Sequence, residues 1–165
     1  MKHFSIIVLV AVLLANSCGT SLQTAEQRQA EADKTARLVQ GALERRSYKI
    51  DINYMIPLRG RAQAVNSYSI RIDGETLHSH LPYFGVSRQS TYGGGNAFSF
   101  DEKIQSYTDT VTAPGRRTIT ATVRTDEDTF VYTLNIYENG QADITVHCRN
   151  RDNISYRGRL VTEND

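Results

Sequence analysis

His78 and His80 carry the most evident chemical potential in this sequence. Residues two apart on a strand project to one face, so their imidazoles could share a Zn²⁺ or Cu²⁺ ion, with His147 on a later strand as a third donor. No carboxylate or cysteine stands at a spacing that completes such a set. Two solvent-facing histidines alternating with Leu77 and Leu81 explain the pattern equally well, so the sequence assigns no metal site and no cofactor. Tyr83, Phe84 and Tyr92 are candidate residues of a binding or contact loop, with the first two rings expected to tuck inward beside Pro82. Tyr92 leads into Gly93-Gly94-Gly95, a glycine run without the lysine and helix that a phosphate cradle needs.

Catalytic residues do not emerge. No serine sits in a nucleophile elbow. Cys148 falls on the apolar register of its segment and reads as a small core residue. Asp126-Glu127-Asp128 lacks the spacing of a calcium loop and reads as a solvated turn. Arg149, Arg151, Arg157 and Arg159 form the one local concentration of positive charge, which a polar outer sheet face accounts for.

Cys18 carries chemistry of another kind. Lys2 and His3 precede a run from Phe4 to Ala15 that is apolar apart from Ser5, and Asn16-Ser17 then leads into Cys18. A basic start, a short apolar core and a small-residue exit describe a secretory signal peptide over residues 1–17. The run is too short for a transmembrane helix, which takes roughly 20 apolar residues. Acylation of Cys18, as the first mature residue, would tie the protein to a membrane, although Ala15 and Asn16 depart from an ideal lipobox. Ala15-x-Ser17 also suits ordinary signal cleavage, which would leave a secreted protein. Of 165 residues, losing 17 leaves 148, enough for one domain with a core. Lys2 leaves with the signal, so 18 basic and 18 acidic side chains remain. A neutral chain without a basic block argues against a nucleic-acid partner. The expected partners are the membrane, through the N-terminal lipid, and an envelope protein or small ligand.

The elements that must position these residues read as one α+β domain over 25–165, behind a tether at 18–24. Thr24 and Gln27 suit a capping box, and Ala32, Ala36, Val39 and Leu43 mark one face of a helix over 25–46. From Tyr48 the period becomes two. Tyr48, Ile50, Ile52, Tyr54 and Ile56 form one face of a strand ended by Pro57, and residues 59–64 read as a loop. Tyr68, Ile70 and Ile72 lead to a hairpin at Asp73-Gly74, and a third strand runs toward Leu81. Phe98–Phe100 and Ile104–Val111 read as two short segments. Pro114-Gly115 and Asn139-Gly140 mark later turns, and the last strand carries Ile154, Tyr156 and Leu160. About eight strands over 48–161, joined by short turns, imply an antiparallel meander. The expected form is a curved sheet or partly closed barrel, with the helix on one face or across its opening.

Leu81-Pro82-Tyr83-Phe84-Gly85 follows a Ser-x-Ser strand and a glycine-bearing hairpin, and Ile154-Ser155-Tyr156-x-Gly158 follows Asn139-Gly140. With these strings the chain resembles, over residues 44–161, the Bacteroidetes lipoprotein family called domain of unknown function 4251. That resemblance implies a cell-envelope lipoprotein. It implies no reaction and transfers no functional residue. In lipoproteins of that kind an early acidic run marks surface display. Gly19-Thr20-Ser21-Leu22 stands after Cys18 instead, so a periplasm-facing anchor is expected.

Overall fold

A computed structural model describes residues 24–86 and 98–161. The chain divides into two compact units, Met1–Glu31 and Ala32–Asp165. Helix α1 (Ala25–Glu44) opens on the expected capping box. The Gln27 amide donates to Thr24 Oγ1 at 3.3 Å, and the Thr24 amide donates to Gln27 Oε1 at 3.0 Å. Residues 25–34 are exposed, Ala32 among them, so the buried stripe begins later than its spacing suggested. Val39, Ala42 and Leu43 carry it into the core. The helix stops at Glu44, two residues before the expected Arg46, because Arg46 turns left-handed at φ 50° and its amide bonds the Leu43 carbonyl at 3.0 Å.

Eight strands follow: β1 (Ser47–Pro57), β2 (Gln63–Asp73), β3 (Thr76–Leu81), β4 (Phe98–Ala113), β5 (Arg116–Arg124), β6 (Thr129–Tyr137), β7 (Gln141–Cys148) and β8 (Ile154–Val161). Each pairs antiparallel with its sequence neighbour, and β8 pairs back onto β1 to close a barrel. Full closure satisfies every strand edge that a curved or partly closed sheet would leave open. The seam depends on Gly158, opposite Ile52, where a Cβ would strike the Asp51 carbonyl.

Register irregularities separate the observed strands from their sequence pattern. A shift in β1 between Ile52 and Tyr54 flips the strand's facing. Tyr48, Ile50 and Ile52 point inward as expected, but Met55 and Pro57 then take over, leaving Tyr54 49% exposed. The segment expected as a loop at 59–64 already enters β2 at Gln63. The β2–β3 hairpin turns at Gly74-Glu75, with Asp73 paired to Thr76, one residue later than expected. Phe98–Phe100 and Ile104–Val111 belong to one 16-residue strand, β4, whose shifts at Ile104/Ser106 and Val111/Ala113 scramble its alternation.

Side chains fill the lumen, as suits the narrow bore of eight strands. Tyr132, Tyr156, Phe98 and Phe130 are the largest fully buried residues, at 0–1% exposure. Phe130 packs against Phe98 and Phe100 with ring centroids 5.2 Å and 5.0 Å away. Tyr132 donates to Ser79 Oγ at 3.0 Å, and Ser79 donates to the Phe98 carbonyl at 2.7 Å. Among the described residues no buried side-chain N or O lacks a partner. Burial therefore raises the phenol pKa of Tyr132 and Tyr156, so both hydroxyls stay neutral donors. The outward positions of β5, β6 and β7 carry Thr120, Thr122, Thr133, Asn135, Asp143 and Thr145. Apolar inside and polar outside is the reverse of a lipid-facing barrel. No helix among the described residues is long and apolar enough to cross a membrane.

Candidate functional site

The two ends of the barrel are closed by different means. At one, the chain leaving β3 folds back as Pro82-Tyr83-Phe84-Gly85. Tyr156 donates to the Pro82 carbonyl at 2.6 Å, which pins the start of this segment to β8. The Tyr83 ring lies 5.0 Å from the Phe98 ring, between centroids. Its hydroxyl donates to the Val86 carbonyl at 3.0 Å and accepts the Asp152 amide at 3.0 Å. Gly85 makes that wrap possible, because a Cβ there would meet the Tyr83 hydroxyl at 2.6 Å. Burial raises the Tyr83 pKa above the usual phenol value. Phe84, expected to tuck in with Tyr83, is instead 58% exposed. One ring plugs the end and the other faces solvent, since the tight bend at Gly85 turns successive side chains apart. Cys18 and Tyr92, with Gly93-Gly94-Gly95, lie outside the described residues.

Charged side chains lock the same end. Arg151, buried, donates to Glu127 at 3.0 Å and lies 6.0 Å from the Tyr83 ring centroid and 5.8 Å from that of Phe98. Asp128 accepts the amides of Thr129, Arg149 and Asn150 at 2.8, 3.2 and 2.9 Å. The acidic turn expected as a solvated tip is thus a bracket holding the β7–β8 connection. The arginines do not gather either: Arg151 is committed here, and Arg157 meets Asp143 at 3.3 Å on the outer face. Cys148 is half-buried against the core, and burial first of all pushes its thiol up to about 11.

The second end is covered by α1, through Val39, Ala42 and Leu43, and a cleft stays open beside the helix. A cleft of about 260 Å³ separates the helix from the β4–β5 and β6–β7 turns. Val39, Leu43, Val111 and Ile136 make its apolar lining, and Arg37, Arg116, Arg117 and Glu138 supply its charge. Val111 is 71% exposed, the largest such value among the exposed large apolar residues. Asp109 holds Arg117 in a two-pronged ion pair, its Oδ1 accepting from Nε at 3.0 Å and its Oδ2 from Nη2. Arg116 spends only Nε, on Thr112 Oγ1 at 3.2 Å, and Arg37 only Nε, on the Asp33 carbonyl at 3.2 Å. Beside the cleft Tyr107 meets the Tyr48 hydroxyl at 3.3 Å and lies 4.3 Å beneath the Arg46 guanidinium. Burial leads the rise in both phenols' pKa values.

His78 and His80 do share the outer face of β3. His78 Nδ1 lies 2.6 Å from Asp101 Oδ1, and His80 Nδ1 lies 3.1 Å from Ser99 Oγ, its ring 5.2 Å from that of Tyr68. His147 belongs to β7, which neighbours β6 and β8, so it cannot join them. Among the described residues no group of three or more His, Cys, Asp or Glu side chains could hold a metal ion.

The fold agrees with that of a similar protein. The model for the family described as "Domain of unknown function (DUF4251)" matches residues 29–160. The chain belongs to the DUF4251 family. A crystal structure of a DUF4251 family protein from Bacteroides eggerthii shares the fold at a TM-score of 0.63 and 14% identity, covering 82% of this chain and 93% of that one. No curated protein matches. The Leu81–Gly85 string lies within the matched residues, while the α1 cleft had no signal in the sequence beyond Arg116-Arg117 after a turn and polar Arg37 and Gln40 beside the helix's apolar face.

Proposed function

We propose that this DUF4251 protein is a non-catalytic binding module of the cell envelope, anchored by an acyl group on Cys18 and facing the periplasm. It engages a small ligand or an envelope protein at the α1 cleft. The observation carrying this reading is the contrast between a filled lumen and an open mouth. A carrier with an internal cavity would leave its lining side chains facing a void, whereas the lumen residues Ile50, Ile70, Leu77, Phe98 and Tyr132 are 0% exposed. Among the described residues one His–carboxylate pair, His78 with Asp101, could support catalysis, but it lies on the outer face of the barrel rather than in a cleft.

Two measurements test the reading. Mass spectrometry of the N-terminal peptide from the membrane fraction should find acylated Cys18; an unmodified cysteine there overturns the anchor. A photo-crosslinking residue at Val111 should trap an adduct in cells that the same residue at Ser99, toward the opposite end, does not. Equal trapping at both positions, or none at Val111, overturns the cleft as the working surface.

A further inference from the structure

We infer that the α1 cleft takes a small amphiphile ending in a carboxylate, the acyl part lying along exposed Val111, over the nearly buried Val39, Leu43 and Ile136, and the carboxylate between Arg37 and Arg116. This deepens the binding reading above and rests on it. Three observations converge. The volume of about 260 Å³ equals roughly nine water volumes, room for a ligand of about ten non-hydrogen atoms. The lining sets exposed Val111, backed by Val39, Leu43 and Ile136 at 1–3% exposure, beside guanidinium groups, the pairing that an amphiphilic anion needs.

The third observation is how each arginine is spent. Arg117 gives Nε and Nη2 to the Asp109 carboxylate, which neutralises its charge, and it acts as a structural post. Among the described residues Arg37 and Arg116 each commit Nε alone, so that the terminal amino groups of each fork have no partner there, on either side of the cleft. A guanidinium fork matches a carboxylate in plane and spacing better than it matches a hydroxyl or an amine. Glu138 is the one acidic side chain in the lining. It opposes an anion, and two uncommitted cations outweigh it. Beyond Arg37 the helix adds no free polar group to the lining, since Gln40 is bonded to Glu44 at 2.9 Å.

Calorimetry on the full chain carrying Cys18→Ser, which keeps acyl chains and detergent out of the assay, tests this with octanoate, octanol and octylamine. Octanoate should bind with a Kd on the order of 0.1 mM. Octanol should bind about tenfold more weakly and octylamine more weakly still. Arg37→Gln with Arg116→Gln should weaken octanoate about tenfold and leave octanol unchanged. Glu138→Gln should tighten octanoate severalfold, a gain that misfolding cannot mimic. Equal binding of octanoate and octanol, with loss of both on Val111→Asp, overturns the carboxylate and leaves the cleft as a binding surface. No binding of any probe up to several millimolar overturns this inference, while the Val111 crosslinking result decides the broader reading separately. Unchanged octanoate affinity in the double variant, with an unchanged melting temperature, also overturns it.

Discussion

The two ends of this barrel differ in how their polar groups are spent. At the Tyr83 end the plug's hydroxyl, the Arg151 guanidinium and the Asp128 carboxylate all have partners within the chain. At the α1 end Arg37 and Arg116 keep most of their donors, and Val111 stays exposed. Both ends close the same lumen, so the need to exclude water does not explain the difference. Satisfied groups mark a seal, and uncommitted groups beside apolar surface mark a place for something else to bind.

Substitutions at each end, and on the seam between them, can break this contrast. Gly158→Val should have the largest effect, costing about 3 kcal/mol or more in urea unfolding, because the clash is with the Asp51 backbone and loosens both ends together. Tyr83→Ala removes the plug and should cost about 3 kcal/mol while octanoate binding stays unchanged. Tyr83→Phe, which removes only the hydroxyl, should cost about 1 kcal/mol. Glu127→Gln removes the negative charge of one partner of the buried Arg151, but the exposed carboxylate is screened by solvent, so the loss should be about 1 kcal/mol. Arg116→Gln should alter stability by less than about 0.5 kcal/mol, since its one side-chain bond, to Thr112 Oγ1, is exposed and joins residues of the same hairpin. If it destabilises as much as Glu127→Gln does, the open end is a seal after all.

The Tyr83 end should also answer to alkali. Cys148 is held up to about 11 from an ordinary 9.0, so the folded protein keeps a proton that the unfolded chain gives up. Stability should be full below pH 9 and fall as pH rises toward 11, with the buried tyrosines extending the loss above that. Cys148→Ser should flatten the first part of the decline in chemical denaturation measured at successive pH values. A stability independent of pH between 9 and 11 would count against a desolvated thiol.

Local alternation was legible in the sequence wherever a strand kept one register. The inward residues Ile70 and Ile72, Ile119, Ala121 and Val123, and Leu134 and Ile136 all stand where period two places them. It failed at Tyr54 and along β4, where a single inserted residue exchanges the two faces. The Tyr83 plug was legible because a proline, aromatics and a glycine describe a bend by themselves. Its lock was not, since Arg151 and Asp128 come from turns far along the chain. Arg37 and Arg116 looked like ordinary surface charge for the same reason: their sequence neighbours do not reveal that a helix and a hairpin turn face each other.

By itself the sequence determined the helix start at Thr24 and Gln27, the antiparallel order of hairpins and most of the inward face. These follow from interactions within a few residues, where capping, turn geometry and side-chain alternation act. Only the tertiary structure decided that β8 meets β1, that Gly158 lies against Asp51, and which arginines at the two ends are spent. Closure depends on strand tilt and register accumulated around the whole barrel, and the fate of each charge depends on which distant groups that closure brings within reach.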